Sequence, residues 1–198
     1  MQRPARSSFA NVSTRLVAAV AAILVAAAPH SASAGAVGGP PQLIDQTGRT
    51  FTLQSLRGRP LIVTFVSAHC TDACPLVNAQ FSQAAGQIAR QKLAARLLTI
   101  TLDPAHDPPS LMRAMAKRFD ANPRYWLVAG GRPTDVDAIL GAFGVVAKTG
   151  KSGYRETHTT FVYVFDSAGK LQKTMLASTG LTGDIVDAVR ALNPRMGK

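Results

Sequence analysis

Cysteine, tryptophan and long apolar runs are all scarce in this chain of 198 residues. It has two cysteines and one tryptophan, so at most one disulfide can form within the chain. The apolar run 16–28 has 13 residues, fewer than the roughly 20 that span a bilayer. Basic residues form no run longer than Lys117-Arg118 and do not alternate with aromatic side chains. This scatter argues against nucleic-acid binding, despite a net charge of +11.

The N-terminal segment has the features of a secretory signal. Three arginines precede the apolar run, and a stretch of small residues ending at Ala34 follows it. We therefore predict a signal peptide over residues 1–34, a linker over 35–41 and one domain over 42–198. The alternative is an uncleaved membrane anchor with the linker as a tether. No cysteine follows the run directly, which argues against a lipoprotein anchor, and cleavage would leave a charge of +8.

Strand-like and helix-like patterns alternate along the predicted domain. We predict a β-hairpin at 43–53, strands at 60–66, 96–102 and 124–130, helices at 75–95, 108–119, 133–144 and 182–193, and a late hairpin at 158–177. Asp107 is predicted to cap the second helix with Pro108 in its first turn, and Gly144 to close the third. Residues 148–157 are predicted to form a loop. The pattern predicts an α/β fold with a central mixed β-sheet flanked by helices and an N-terminal β-hairpin.

Both cysteines lie in the segment HCTDACP, between the first buried strand and the first helix. Cys70 and Cys74 are four residues apart, so on a helix their Cα atoms would be about 6 Å apart, within reach of a disulfide or a shared metal ion. A disulfide across so short a loop would add little stability, which argues against a purely structural bond. Helix N-terminal amides are expected to lower the pKa of a cysteine in the first turn. The spacing leaves a redox couple and a metal-binding pair both open.

The cysteine motif and the late hairpin together resemble a thioredoxin-like domain. In that fold a threonine-cis-proline-threonine segment begins the late hairpin and packs against the active-site cysteines. The corresponding stretch, THTTFVYVFD, has no proline and carries His158 and Thr159 instead. The resemblance therefore implies an imidazole beside the two sulfurs. Two thiolates and one imidazole suit Cu(I) and tolerate Cu(II), whereas zinc normally takes a fourth ligand.

Three features of the sequence resemble those of the Sco/SenC family of copper-binding, thioredoxin-like proteins. They are C-x-x-x-C-P ending at Pro75, D-P-x-x-D-x-P beginning at Asp103, and the distant His158. The resemblance implies that Cys70, Cys74 and His158 bind one copper ion, Cu(I) or Cu(II), in a monomer. It also implies a metallochaperone for the dinuclear copper centre of cytochrome c oxidase.

The resemblance also implies the surroundings in which the protein works. The expected partners are the copper-bearing subunit of the oxidase and another copper chaperone or a thioredoxin-like reductant. The expected location is the bacterial periplasm, with a tether to the inner membrane if the leader is not cleaved.

Two other functions remain open from the residues. Cys70 and Cys74 could form the redox couple of a thiol-disulfide oxidoreductase that keeps the oxidase copper-site cysteines reduced, a role that does not need His158. A peroxiredoxin-like peroxidase would use the T-x-x-C segment ending at Cys74, but Ser67 stands where those enzymes have proline.

The remaining candidate residues are assigned structural roles. We predict that His69 lies outside the copper ligands, that His106 is solvated in its loop, and that Asp103 shapes that loop. Trp126 is predicted to lie in the core, together with Met112, Met115 and Met175.

Overall fold

The computed structural model describes residues 39–71, 73–157 and 160–193. The predicted leader 1–34 and His158 lie outside these ranges. The nine strands are β1 (Leu43–Asp45), β2 (Thr50–Phe51), β3 (Leu61–Val66), β4 (Arg96–Thr101), β5 (Trp126–Gly130), β6 (Lys148–Thr149), β7 (Arg155–Glu156), β8 (Phe161–Phe165) and β9 (Leu171–Leu176) within the described ranges. The helices there are α1 (Ala73–Arg90), α2 (Pro109–Arg118), α3 (Pro133–Ala142) and α4 (Leu181–Ala191), with a 3-10 turn at Leu53–Leu56.

Seven of the strands form one mixed sheet in the order β2-β1-β5-β4-β3-β8-β9. The three central strands β5, β4 and β3 are parallel, whereas β1 and β8 pair antiparallel with their neighbours. The hairpin β1–β2 lies at one edge and β8–β9 at the other. This architecture confirms the predicted mixed sheet with its N-terminal hairpin.

Alternating side chains of the central strands pack on opposite faces of the sheet. Ile62 and Trp126 belong to the core under α1, α2 and α4. Val63 and Leu127 belong to a second core, under α3 and the 3-10 turn. Trp126 is fully buried and Met112, Met115 and Met175 are also buried, as predicted. Helices therefore flank both faces, which buries the central strands.

Two glycines take left-handed φ angles beside these elements, and Gly144 closes α3 as the sequence predicted. Gly144, at φ 66°, follows α3, and the N–H of the next residue, Val145, donates to Leu140. Gly169, at φ 83°, lies in the turn between β8 and β9. In the described ranges no helix is both long enough and apolar enough to cross a membrane.

Three local predictions are wrong. Helix α1 begins at Ala73 instead of residue 75 and ends at Arg90 instead of residue 95, where Lys92 takes a left-handed φ of 54°. Pro108, without a side-chain hydrogen bond, is the N-cap of α2, because the Asp107 carboxylate is bound elsewhere. The predicted loop 148–157 contains the short β6–β7 hairpin.

Candidate functional site

The two cysteines lie where β3 ends and α1 begins. All six residues of β3 are buried, and its parallel neighbour β4 ends at the same edge of the sheet. The carboxyl ends of parallel strands are where open α/β sheets usually bind ligands. Hydrogen bonds join the loops that follow β3 and β4; in one of them the Ala68 N–H donates to the Asp107 carboxylate at 3.1 Å. The loop between β3 and α1, which carries Cys70 and is called the cysteine loop below, is thus anchored to the loop after β4.

Cys70 and Cys74 carry free thiols that lie close together. The backbone N–H of Cys74, the second residue of α1, donates to the sulfur of Cys70 across 3.4 Å. Cys70 is half-buried, whereas Cys74 is only 5% exposed. The structure therefore brings together the two cysteines that the sequence singled out, and Cys70 is the more accessible one.

Both cysteines line a cavity of about 170 Å³ between α1 and α2. Met115, Phe119 and Arg118 form part of its opposite wall. The cavity is smaller than the roughly 300 Å³ of a typical small-molecule site, so an ion or the tip of one side chain fits it better. The Met115 sulfur accepts a hydrogen bond from the Asn78 amide at 3.2 Å, consistent with a packing role.

Burial has the largest effect on the pKa of Cys74. It raises the pKa of Cys74 to about 12, the hydrogen bond with Cys70 adds to the rise, and the backbone of Ser67 acts in the opposite direction. The prediction that the helix N terminus lowers the pKa of a cysteine in the first turn is wrong for Cys74. Removing water from around a thiolate outweighs the helix dipole at this position.

His69 contacts residues from two other loops. Its imidazole stacks on the Tyr154 ring with centroids 3.8 Å apart and planes at 4°. Its Nε2–H donates to the backbone carbonyl of His106 at 3.2 Å. His69, Cys70 and Cys74 do not form a metal-binding cluster, and no other three His, Cys, Asp or Glu residues within the described ranges do so. His69 thus uses both Nε2 and the face of its ring in contacts within the protein.

Two buried carboxylates hold the loop after β4. Asp103 is 1% exposed at its side chain and accepts from His106 Nδ1 at 2.8 Å and from the Arg155 N–H at 2.9 Å. Asp107 has no side-chain exposure and accepts from the Thr101 hydroxyl at 2.5 Å. Burial raises the pKa of Asp107, although its hydrogen bonds act in the opposite direction. His106 is exposed as predicted but is also held by Asp103, which shapes the loop as predicted.

The sequence did not identify three residues of this neighbourhood. Tyr154 and Arg155 lay in a predicted loop, and Asp107 was assigned to a helix cap. Arg155 also binds Asp137 of α3 through its guanidinium group. The D-P-x-x-D-x-P motif did include Asp107, but a motif does not reveal which donors will face a carboxylate in the folded chain.

The fold and the paired thiols define the class of protein. A mixed sheet with a C-x-x-x-C pair at the start of the helix after a central strand, and a late antiparallel hairpin, is a thioredoxin-like domain with a dithiol site. A family model described as SCO1/SenC matches residues 29–193. The chain belongs to the SCO1/SenC family.

Individual relatives agree with this membership. An SCO2-like protein of Rickettsia prowazekii is 28% identical over 142 residues, which cover 69% of this chain and 68% of the relative. ScoI of Bradyrhizobium japonicum, solved with copper bound, is 27% identical with a TM-score of 0.63 over 80% of this chain and 99% of that one.

A third relative shows the same fold at lower identity. BsSco is described as having a disulfide switch and as a member of the Sco family of cytochrome c oxidase assembly proteins. It is 19% identical, with a TM-score of 0.68 over 79% of this chain and 92% of that one.

Proposed function

We propose that this protein binds one copper ion through Cys70, Cys74 and His158 and delivers it to the copper-bearing subunit of cytochrome c oxidase during assembly. The observation that carries the proposal is that the two cysteines are in contact and share one cavity. The Cys74 N–H reaches the Cys70 sulfur at 3.4 Å, and both residues open onto one cavity of ion-compatible size. Two adjacent soft donors suit Cu(I) better than hard cations such as Mg²⁺ or Ca²⁺.

A third donor has to come from another part of the chain. His158 lies outside the described residues, but Tyr154 is in contact with His69, the neighbour of Cys70. Four residues of extended chain span at most about 14 Å, so covalent connectivity keeps His158 within that distance of Tyr154. An imidazole within this reach would complete a set of two sulfurs and one nitrogen.

The relatives support copper and oxidase assembly for this chain. The copper-bound ScoI is 27% identical and aligns over almost its whole length. The description of BsSco names the Sco family as cytochrome c oxidase assembly proteins. We extend both properties to this chain as part of the proposal, with another copper chaperone as the donor of the ion.

The proposal also includes location and domain organisation. Residues 1–34 direct export to the periplasm, 35–41 link the leader to the domain, and 42–198 act as a monomeric copper-binding domain. If the leader is retained, it tethers the domain to the inner membrane. The mass of the N-terminal peptide of protein isolated from the periplasmic and membrane fractions distinguishes the two forms.

A Cu(I) titration tests the ligand set directly. Reduced protein is titrated under a competing chelator, and the parent is compared with Cys70→Ala, Cys74→Ala and His158→Ala. Each variant should lose more affinity than the roughly 10–100-fold cost of removing a group that only orients a ligand. Asp187→Ala is the control, since that exposed carboxylate pairs with Arg190 on α4, and it should bind like the parent. Equal affinity of His158→Ala and the parent would refute the three-ligand site.

The unequal burial of the two cysteines favours a second candidate function, thiol-disulfide exchange. The half-buried Cys70 can attack a disulfide of the oxidase subunit, forming a mixed disulfide and releasing one partner thiolate. Cys74 then attacks the Cys70 sulfur and releases the second, so the partner gains two electrons and this chain forms the Cys70–Cys74 disulfide. A thioredoxin-like reductant would restore the dithiol.

Metal-free protein separates the two functions. It is mixed with an oxidised peptide carrying the two cysteines of the oxidase copper site, and released thiols are measured. An oxidoreductase should act equally well as the parent and as His158→Ala, because exchange does not need the imidazole. Exchange no faster than that of Cys70→Ala would exclude this function.

A further inference from the structure

The Tyr154 ring is the point at which the β6–β7 hairpin meets the cysteine loop. It stacks on the His69 imidazole with ring centroids 3.8 Å apart and planes at 4°, and it forms a T-shaped pair with the His106 ring, with centroids 5.2 Å apart and planes at 89°. Tyr154 is half-buried and directly precedes β7. One aromatic side chain thus contacts both loops that follow the parallel strands β3 and β4.

The stack is one of four contacts that connect the loop after β3, the loop after β4 and the β6–β7 hairpin in a closed circuit. His69 donates to the His106 carbonyl at 3.2 Å, and His106 donates to Asp103 at 2.8 Å. Asp103 in turn accepts from the N–H of Arg155, which is covalently joined to Tyr154. Each loop is therefore fixed to the other two, and His69, the neighbour of Cys70, takes part in this circuit through both the stack and its hydrogen bond to His106.

The segment held by this circuit leads directly to the third proposed ligand. Glu156 ends β7, and His158 follows two residues later. Because the chain from Tyr154 to His158 spans at most about 14 Å, holding Tyr154 against His69 limits how far that histidine can move from Cys70. A segment released from this contact would have to be ordered again each time copper binds, which costs affinity.

We propose that Tyr154 is a positioning residue for copper, whose stack on His69 holds the segment leading to His158 against the loop that carries Cys70. This inference rests on the proposed copper site and adds a residue that does not touch the metal. It requires an aromatic ring at position 154 but not its hydroxyl group. It also requires that His69 act through its ring face and not as a copper ligand.

Substitutions at position 154 test the requirement for the ring. Tyr154→Leu should weaken Cu(I) binding about 3- to 10-fold, the range expected from one aromatic pair, whereas Tyr154→Phe should bind like the parent. Tyr125→Leu is the matched control and should leave copper affinity unchanged. It removes another half-buried tyrosine, which directly precedes β5 and so lies at the end of the parallel strands opposite to the cysteines. Equal affinity of Tyr154→Leu and the parent would refute the positioning role.

Two spectroscopic measurements separate positioning from a general loss of structure. In metal-free protein, proton NMR of the His69 ring should show a ring-current shift that Tyr154→Phe keeps and Tyr154→Leu loses. The electron paramagnetic resonance spectrum of the Cu(II) form should be the same in the parent and Tyr154→Phe. In Tyr154→Leu it should become a mixture of species, and an unchanged single species would contradict the proposal.

A double-mutant cycle tests the pair and covers the case in which Tyr154→Leu does not fold. His69→Phe keeps a ring for stacking but loses the hydrogen bond to the His106 carbonyl, so it should bind copper more tightly than His69→Leu. His69→Leu should cost at least as much affinity as Tyr154→Leu, and combining the two Leu variants should cost no more than His69→Leu alone. Additive losses, or binding by His69→Phe as weak as that by His69→Leu, would overturn the assignment.

The failure of this inference is distinguishable from failure of the copper site. If His158→Ala binds as tightly as the parent, the proposed ligand set is wrong and the positioning role falls with it. If His158→Ala binds weakly while Tyr154→Leu loses the ring-current shift but keeps full affinity, only the positioning role is wrong.

Discussion

The backbone N–H of Arg155 donates to the carboxylate of Asp103 across 2.9 Å. This bond joins the loop after β4 to β7, 52 residues further along the chain. Asp103 has a side chain that is 1% exposed, and it accepts from His106 as well. A buried carboxylate with two donors is a strong local constraint, because losing it leaves both donors without their acceptor.

Asp103→Ala should lower the free energy of unfolding by about 2–3 kcal/mol, the cost of losing hydrogen bonds to a charged group in a buried place. Urea unfolding followed by the fluorescence of Trp126 measures the change. Asp187→Ala is the control, because that carboxylate is 73% exposed in its pair with Arg190 and should matter little. Equal effects of the two substitutions would show that the Asp103 contacts do not hold the loops.

The two cysteines should react at very different rates in reduced, copper-free protein. Because burial raises the pKa of Cys74 to about 12, Cys74 stays almost entirely protonated at pH 8 and its thiol is a poor nucleophile. Cys70 is also more exposed. Iodoacetamide should therefore modify Cys70 first, as measured by peptide mass mapping over time.

The denatured chain provides the control for this difference, since both thiols are then exposed and should react at similar rates. Cys74→Ala should leave the rate at Cys70 within about twofold of the parent value. Modification of Cys74 as fast as Cys70 in folded protein would contradict the assigned burial.

Asp107→Asn should raise the free energy of unfolding at pH 7. Burial raises the pKa of Asp107 above its ordinary 3.8, so the folded state binds the proton more readily than the unfolded state. Its contribution to stability is therefore full below pH 3.8 and is lost as the pH rises through the folded-state pKa. The uncharged variant avoids that loss and keeps an oxygen for Thr101 and Ala68.

The advantage of Asp107→Asn over the parent should shrink as the pH is lowered toward 3.8, in urea unfolding of copper-free protein. Asp166→Asn is a control of opposite sign, because the backbone N–H of Lys170 lowers the pKa of Asp166. That variant should be less stable than the parent at pH 7, and its deficit should shrink as the pH falls. A pH-independent difference for Asp107→Asn would rule out the burial cost.

Thr99→Val should destabilise the domain by about 1–3 kcal/mol, because it leaves a buried donor without its acceptor. The Trp126 indole N–H donates to the Thr99 hydroxyl at 3.0 Å, and both residues are fully buried. Thermal unfolding followed by circular dichroism measures the change. In a Trp126→Phe background the same substitution should cost less, since the donor is gone. Equal costs in both backgrounds would contradict this pairing.

Local patterns in the sequence were sufficient for most of the architecture. The apolar runs that became β3, β4 and β5 and the amphipathic spacing of α1 depend on neighbours within a few residues, which is why they were predictable. Gly144 was placed correctly for the same reason, since a left-handed residue after a helix favours glycine. The β6–β7 hairpin was missed because its two-residue strands carry no periodic apolar pattern.

Contacts between distant segments account for the errors at the site. Asp107 has the sequence position of a helix cap, but the Thr101 hydroxyl and the Ala68 N–H compete for its carboxylate and bind it instead. The pKa of Cys74 depends on how completely the cavity wall and the cysteine loop exclude water from its sulfur. The spacing of the two cysteines in the sequence does not specify this. The assignment of copper ligands remains a prediction from the family motifs and from the reach of the chain.

The amino-acid sequence alone thus predicted the mixed sheet, the pair of cysteines at the start of α1 and the SCO1/SenC motifs. Each of these depends on local spacing or on composition. Only the tertiary structure decided which cysteine is accessible, where the two buried carboxylates point, and that Tyr154 stacks on His69. These features depend on burial and on segments far apart in the chain meeting at one edge of the sheet. Desolvation and packing at that edge are collective properties of the fold, and no short stretch of sequence carries them.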